Sequence, residues 1–195
     1  VEAWGGGAAG KNPVANDLDQ ASYTAYNALC SSCSYTRYAE LFNSWPVSAI
    51  THMELVLSKN GSPTGTATLN IRRASDDSIL GNLGTIDVST LTTSYDWYSF
   101  DGCVTNPAAQ NIYISFEYSG GGTGNSVYAT CGGGNPYANG TGYKYPGSWQ
   151  SDGTWDMSWR NLTWYTAGGN GGGGGAYSIE TSYAVTPGNS YSYTV

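Results

Sequence analysis

Residues 49–61 read AITHMELVLSKNG, and this stretch decides the fold class. Its side chains alternate with a period of two, which is typical of a β-strand with one buried face. One face carries Met53, Leu55 and Leu57, and the other carries His52, Glu54 and Val56. The stretch ends at Lys59-Asn60-Gly61, a strong hairpin signal. An antiparallel sheet is therefore predicted here.

Seven more segments of this kind lie in the middle of the chain. They are residues 35–42, 66–72, 79–88, 95–100, 111–118, 126–130 and 155–165. The inward side chains expected in two of them are Ala67, Leu69 and Ile71, and Ile112, Ile114 and Phe116. An Asp76-Asp77 turn is expected before residues 79–88, and no window has helical periodicity. About eight strands with this spacing predict an all-β fold, an antiparallel β-sandwich.

Composition supports the same fold class and excludes several partners. The 195 residues include 28 Gly, 17 Tyr and 7 Trp, and only 11% are charged, against about 25% in an average soluble protein. Glycine weakens helices, whereas aromatic residues fit strands. A net charge of −7 repels polyphosphate, so no nucleic acid or anionic membrane is expected as a partner. The sequence contains no apolar run of about 18 residues, so no membrane span is predicted.

Four cysteines, Cys30, Cys33, Cys103 and Cys131, indicate an exported protein with disulfides. Three pairings are conceivable, and Cys30–Cys33 with Cys103–Cys131 is the one we expect. A zinc site would need more ligands than the one histidine, His52, and these cysteines supply.

Three sequons agree with an extracellular or cell-surface location. Asn60, Asn139 and Asn161 are the candidate N-glycosylation sites. Because the sequence begins at Val1, we expect a processed chain or a piece of a longer one.

The central residues resemble a known family of extracellular modules. The segments that carry the resemblance are AELF at 39–42, ITHMELVLSKNG at 50–61, PTGTATLNI at 63–71, LTTSYDWYSF at 91–100, NIYISFEYSGG at 111–121 and GSW at 147–149. Residues 35–166 are similar to jelly-roll modules of the choice-of-anchor type. The resemblance implies a jelly roll related to carbohydrate-binding domains, of the kind found as accessory domains in large bacterial and archaeal surface proteins.

The two ends of the chain differ from the middle and belong together. VEAWGGG at 1–7, and GGGGGAYSIE at 171–180 with YAVTPGNSYSYTV at 183–195, are similar to the two halves of glycine-rich domains in phage-tail and bacterial surface fibres. The resemblance implies a jelly roll inserted between these halves. We therefore divide the chain into an N-terminal strand, glycine-rich segment and arm at 1–34, the jelly roll at 35–166, and a glycine-rich linker with a C-terminal strand at 167–195.

Catalysis is not expected from these residues. His52 lies in mid-strand with no nucleophile motif nearby. Glu54 and Glu117 point to the same side of their strands and could face one groove, as a glycosidase requires. The acidic strand of jelly-roll glucanases is nevertheless absent, so a non-enzymatic protein is the prediction.

Aromatic loop residues are the candidates for binding or contact. The rings expected to be exposed, for a glycan or for a neighbouring subunit, are Tyr137, Tyr143, Tyr145, Trp149 and Trp155. Trp97, Trp159 and Trp164 lie in predicted strands and are assigned to the core. No cofactor is expected; calcium stays open, with Asp17, Asp19, Asp76 and Asp77 as conceivable ligands that form no D-x-D-x-D-G loop.

The terminal segments suggest assembly. The residues of these short extended segments are Val1, Glu2, Ala3 and Trp4, and Tyr191, Tyr193 and Val195. A solitary strand needs a sheet to join. Pairing with the next copy would propagate a filament, whereas pairing of both ends within one chain would close a small second sheet. We predict a structural subunit of an extracellular filament or surface fibre, with a carbohydrate-binding adhesion module as the alternative and a glycoside hydrolase third.

Overall fold

The computed structural model describes residues 2–3, 18–134, 136–166 and 178–179. These residues form strands and a single 3-10 turn, Val88–Thr90. The strands are β1 (Glu2–Ala3), β2 (Leu18–Gln20), β3 (Ala25–Leu29), β4 (Arg37–Trp45), β5 (Ser48–Asn60), β6 (Thr66–Arg73), β7 (Ile79–Asp87), β8 (Asp96–Asn106), β9 (Gln110–Glu117), β10 (Ser126–Gly133), β11 (Gly140–Lys144), β12 (Gln150–Ser151), β13 (Trp155–Met157), β14 (Trp159–Thr166) and β15 (Ser178–Ile179). No helix among the described residues is long and apolar enough to cross a bilayer.

Two antiparallel sheets pack face to face, which confirms the predicted β-sandwich. The six-stranded sheet has the order β12-β11-β4-β9-β6-β7. The seven-stranded sheet has the order β13-β10-β5-β14-β2, with β3 paired to β10 and β8 paired to β5. All eight predicted strand segments are present, and the described residues add β1, β2, β3, β11, β12 and β15 to them.

The core lies between the inward faces of these sheets, and its side chains alternate as the sequence predicted. Those of β5, β6 and β9 that are at most 1% exposed are Met53, Leu55 and Leu57, Ala67, Leu69 and Ile71, and Ile112, Ile114 and Phe116. Trp159 and Trp164 are also buried, at 0% and 7% exposed. Trp97 is not: its ring is only half-buried on the outer face, because the register pairs it with the outward Val56.

The predicted hairpin at Lys59-Asn60-Gly61 is wrong. β5 belongs to the seven-stranded sheet and β6 to the six-stranded one, so the turn carries the chain across the sandwich instead of folding it back on its neighbour. Gly61 does take a positive φ of 67°, so the dipeptide marked a turn correctly but not the pairing of its strands. The Asp76-Asp77 turn, by contrast, joins the hydrogen-bonded pair β6 and β7.

The predicted N-terminal arm forms part of the sandwich. β3 pairs with β10 along five residues, and β2 pairs with β14 through Gln20–Trp159 and Leu18–Leu162. The sandwich therefore begins at Leu18 and not at residue 35. The sequence pattern missed β3 because its inward face carries Asn27, a polar side chain that is only 7% exposed.

The two ends of the described chain leave the sandwich together. β2 and β14 are antiparallel neighbours, and Glu2 pairs with Ile179 and Ala3 with Ser178 in a separate two-stranded sheet. This is the intrachain alternative for the terminal segments. Of the predicted assembly residues only Glu2 and Ala3 are described; Val1, Trp4, Tyr191, Tyr193 and Val195 lie outside the described residues, as does the calcium candidate Asp17.

One of the two expected disulfides is present. Cys30 and Cys33 are bonded, with their Cα atoms 4.9 Å apart, at the end of β3. Cys103 on β8 is an exposed free thiol, and Cys131 on β10 is a buried one. Because β5 lies between β8 and β10, these cysteines are separated by at least two strand spacings, about 9–10 Å. A disulfide spans at most about 6.8 Å between Cα atoms, so the predicted Cys103–Cys131 bridge is wrong for this fold.

Candidate functional site

Three of the five predicted rings meet on the outer face of the six-stranded sheet. Tyr143 lies on β11, while Tyr145 and Trp149 follow in the loop to β12. Trp149 stacks on Tyr113 of β9 with ring centroids 4.6 Å apart, and Tyr143 approaches the same tyrosine edge-on at 5.2 Å. Tyr145 contacts Trp149 at 5.1 Å. We call these four rings the aromatic cluster.

The other two predicted rings do not belong to this cluster. Tyr137 makes a tilted contact with Phe42 and an edge contact with Trp159, at 5.1 Å and 5.2 Å between centroids. Trp155 packs against the hydrophobic core from β13. All five predicted rings are half-buried, so the expectation that they would be exposed is wrong for Tyr143, Tyr145 and Trp149 as well as for these two. Loop sequence alone does not indicate whether an aromatic ring folds inward or outward.

A network of two arginines and two carboxylates lies beside the aromatic cluster. Arg72 donates to both oxygens of Glu117, from Nε at 2.6 Å and from Nη2 at 3.0 Å. Arg37 Nη1 lies 2.9 Å from Asp77 Oδ2, and its guanidinium stacks on the Tyr145 ring at 4.1 Å. Trp149 Nε1 donates to Asp77 Oδ1 at 2.8 Å. The rings and charges therefore form one connected surface.

The formal charges of this network cancel. Burial alone would lower the pKa of Arg72, but the hydrogen bonds and charges of Glu117 and Asp77 outweigh burial and raise it. Burial, with the neighbouring Tyr143 and Asp77, raises the pKa of Tyr113 to about 12. The guanidinium and carboxylate groups beside the aromatic cluster are thus already paired with one another.

Two depressions flank the network on this face. One, of about 400 Å³, lies between Tyr113 and Tyr143 and is lined by the amides Gln110 and Asn111. The other, of about 280 Å³, is lined by the charged residues Arg37 and Glu117 and by neighbouring threonine, serine and tyrosine residues. Depressions of a few hundred Å³ with mixed ring, amide and hydroxyl walls suit one or two units of a polar ligand.

The carboxylate pair considered for a glycosidase is separated by the whole sandwich. Glu117 faces outward from the six-stranded sheet, whereas Glu54 faces outward from the seven-stranded sheet. Burial acts to raise the pKa of Glu54, but hydrogen bonds from Asn161 and Arg160 outweigh it and lower the pKa. The interpretation that Glu54 and Glu117 share a groove is therefore wrong.

His52 lies on the outer face of the seven-stranded sheet, as predicted from its mid-strand position. Its Nδ1 is 2.7 Å from Asp101 Oδ1, and its Nε2 is 3.6 Å from Glu54 Oε1. Next to it, Arg160 donates to Glu54 and stacks on Trp97 at 4.3 Å. The histidine is thus held between two carboxylates inside a polar patch.

A row of tyrosines on the same face was missed from the sequence. It runs Tyr23, Tyr95, Tyr26, Tyr128, with successive centroid distances of 5.8, 6.2 and 4.3 Å. We call it the tyrosine row. Tyr23 and Tyr26 fall in the segment expected to be an arm, so their place on a sheet face was not foreseen. The alternation in SVYAT at 126–130 did place Tyr128 outward, and it was the available signal.

Two buried carboxyls lie in the interior of the sandwich. Glu40 on β4 and Asp156 on β13 are both 0% exposed. Glu40 Oε2 accepts a hydrogen bond from the Met157 amide at 3.0 Å, and Asp156 Oδ2 accepts one from the Tyr137 amide at 2.7 Å. Burial, and then the charge of Asp156, raises the pKa of Glu40 well above its usual range. Burial likewise raises the pKa of Asp156.

The three sequons lie in different environments. Asn139 is exposed in the turn before β11. Asn60 is half-buried and donates to the Thr123 carbonyl at 3.3 Å. Asn161 sits inside β14 at a positive φ of 54° and donates to Glu54 Oε1 at 2.7 Å. The structure therefore favours Asn139 as an acceptor and disfavours Asn161.

The calcium candidates that are described do not converge. Asp19 accepts from the Asn161 amide, Asp76 binds Ser78 and Arg73, and Asp77 belongs to the charge network. No group of three or more potential ligands that could hold a metal ion occurs in the described part of the chain.

Comparison with known proteins adds no assignment. No protein-family model matches the chain, and no curated protein sequence is significantly similar to it. Functional conclusions therefore depend on the geometry of the chain itself.

Proposed function

We propose that this chain is a structural subunit of an extracellular filament or surface fibre whose copies join by strand addition. The observation that carries the proposal is the position of the terminal segments. They leave the sandwich from the adjacent strands β2 and β14, and Glu2–Ala3 and Ser178–Ile179 lie in extended conformation outside both sheets.

The small terminal sheet is too short to be stable by itself. It contains two residue pairs, whereas even a complete isolated two-stranded hairpin is marginal in water. A longer ladder with a neighbouring copy would satisfy more backbone groups. Five consecutive glycines, 171–175, lie between β14 and β15 in sequence, and such a run provides reach at up to about 3.3 Å per residue.

The sandwich also offers an edge to receive such a strand. Among the described residues, the last part of β14, from Trp164 to Thr166, pairs with β5 on one side only, because its pairing with β2 ends at Leu162. Tyr165 in this part is 39% exposed. A strand from another copy would extend the sheet here in a head-to-tail contact, which propagates instead of closing.

Electron microscopy of negatively stained protein tests the proposal. The full chain should form long, regular fibres. Deletion of residues 1–10 removes β1 but none of the sandwich strands, and it should abolish the fibres while the unfolding midpoint stays unchanged. Deletion of residues 183–195, at the C-terminal end of the chain, is the matched control for the deletion of residues 1–10. Uniform single particles from the full chain at all concentrations would contradict the proposal.

Carbohydrate binding is the second candidate, and the aromatic cluster favours it. Trp149 and Tyr143 stand beside a depression lined with amides, a combination that suits stacking on a sugar ring and hydrogen bonding to its hydroxyls. On a glycan array, Trp149→Ala should lose binding. Trp155→Ala is the matched control, because Trp155 packs against the core and lies outside the cluster. Equal binding by Trp149→Ala and the unchanged chain would reject this site.

A further inference from the structure

Three of the four exposed aromatic side chains among the described residues belong to the tyrosine row. Tyr26, Tyr23 and Tyr95 are 51%, 43% and 37% exposed. Each successive ring lies within 6.2 Å of the next, so the row is continuous. Tyr128, at its end on β10, is half-buried. Such a patch on a sheet face, away from the aromatic cluster, marks an interaction surface of its own.

The exposed area is small, and this limits the occupant. An aromatic side chain presents about 150–250 Å², so the three most exposed rings offer roughly 300 Å². A stable protein interface needs about 800 Å² from each partner. The tyrosine row alone is therefore too narrow for a second protein or a second copy, and its dimensions suit a single extended ligand chain.

The chemistry of the tyrosine rings indicates what kind of ligand they suit. Each tyrosine offers an apolar face for stacking and a hydroxyl at its end, which matches the alternating C–H faces and hydroxyl groups of a sugar. Successive rings are tilted by 54°, 38° and 32°. A tilted row follows a twisted chain in solution, whereas the flat surface of a crystalline polysaccharide would need coplanar rings.

The surroundings indicate the charge of the ligand. The strands β3 and β10, which carry Tyr26 and Tyr128, read AYNAL and SVYATCGG and contain no charged residue. Trp97 follows Tyr95 by two residues and so faces the same side. Beyond it lie Arg160 and Glu54, already paired with each other. The row has no free cation for a uronate or sulfate group.

The geometry points to a binding site for a neutral, soluble polysaccharide along Tyr23, Tyr95, Tyr26 and Tyr128. This site lies on the opposite face of the sandwich from the aromatic cluster, and it does not depend on filament assembly.

Native affinity electrophoresis tests the site with dextran, mannan, xylan and mixed-linkage β-glucan as separate probes, and with polygalacturonate as the acidic control. At least one neutral polysaccharide should retard the chain. Tyr26→Ala and Tyr95→Ala should each weaken that retardation at least tenfold. Tyr26→Phe keeps the ring and should retain most of it. Trp149→Ala, on the other face, should leave it unchanged.

Several outcomes would overturn the site. They are retardation by none of the neutral probes, retardation by polygalacturonate alone, and equal loss in Trp149→Ala and Tyr26→Ala. Sedimentation of the same variants tests whether a second copy of the chain occupies the row instead. If Tyr26→Ala changes the association state without changing retardation, the row is a contact between copies. Because Tyr26 is half exposed, its unfolding midpoint should stay unchanged and verify that the variant is folded.

Discussion

We expect the buried carboxyls to make the stability of this protein fall as pH rises, and the variant Glu40→Gln tests this. Glu40 is fully buried beside Asp156, and no described residue hydrogen-bonds its Oε1 atom. Its pKa is raised by burial and then by Asp156, so the folded state favours the protonated acid. Glutamine has the shape of that protonated acid and cannot ionise. The substitution therefore removes the part of the pH dependence that is due to Glu40, while keeping an acceptor for the Met157 amide.

The sign and size of the effect follow from proton linkage. A carboxyl whose folded pKa is raised contributes its full stability below the unfolded value, about 4.3 for glutamate. That contribution is lost as pH rises toward the folded pKa. The loss is about 1.4 kcal/mol per pH unit for each proton that the unfolded chain releases and the folded chain retains. Each pH unit over which that difference persists therefore removes a noticeable part of the 5–15 kcal/mol typical of a domain.

Carboxyls with lowered pKa values act in a separate window at lower pH. Hydrogen bonds from Ser78, and then from Arg73, lower the pKa of Asp76 to about 2. The stability that Asp76 contributes is present above the ordinary value of about 3.9 and is lost as pH falls toward 2. Stability is thus lost at low pH through the lowered carboxyls and at higher pH through the raised ones. We therefore expect maximal stability near pH 4 to 5 and a decline toward neutral pH.

Urea unfolding of the unchanged chain and of Glu40→Gln, at half-unit steps from pH 4 to pH 7.5, measures this pH dependence of stability directly. Glu40→Gln should match the unchanged chain near pH 4 and exceed its free energy of unfolding at pH 7. Glu117→Gln is the opposing control: it leaves the buried guanidinium of Arg72 with one carboxylate partner fewer, so it should destabilise at pH 7 by about 1–3 kcal/mol. Parallel curves for Glu40→Gln and the unchanged chain would refute the reasoning, as would stability that rises from pH 5 to pH 7.

Three further predictions concern the scaffold. Gly102→Ala should lower the free energy of unfolding by about 1–3 kcal/mol, because its Cβ would lie 2.4 Å from the Leu83 carbonyl oxygen; Gly124→Ala, with open space around its Cβ, should be close to neutral in the same urea titration. Cys33→Ser should cost about 2 kcal/mol by opening the short disulfide loop, and an unchanged urea midpoint would contradict this. Peptide mapping after expression in a glycosylating secretory host should find glycan on Asn139 and none on Asn161; the reverse pattern would contradict the structure.

The sandwich was predictable because alternation records burial directly. In β5, every second side chain, Met53, Leu55 and Leu57, points inward. This period of two matches a strand and does not match a helix. The Asn60-Gly61 turn failed for a different reason: its backbone preference is local, whereas the choice between pairing with β5 and crossing to the other sheet depends on the whole set of strands. β3 failed because a buried asparagine interrupts its apolar face.

The sites were less predictable than the fold. Tyr137 and Trp149 come from the same glycine-rich loop region, yet one packs against Phe42 and the other stacks on Tyr113. Ring type and loop position do not distinguish these outcomes, because the deciding contacts come from distant strands. Glu40 could have been found: it occupies the inward position between Tyr38 and Phe42 on one strand, both of which are 0% exposed.

The proposed assembly and the proposed binding use different parts of the sandwich. The terminal segments leave from β2 and β14, and β2 is an edge strand of the seven-stranded sheet. Strand addition at an edge engages backbone N–H and C=O groups, whereas the tyrosine row uses side chains on a face. Because an edge contact leaves both faces open, each copy in a filament can present its tyrosine row to solvent. If both proposals hold, a filament would bind a polysaccharide at many identical sites, so weak stacking at each site would add up to strong attachment.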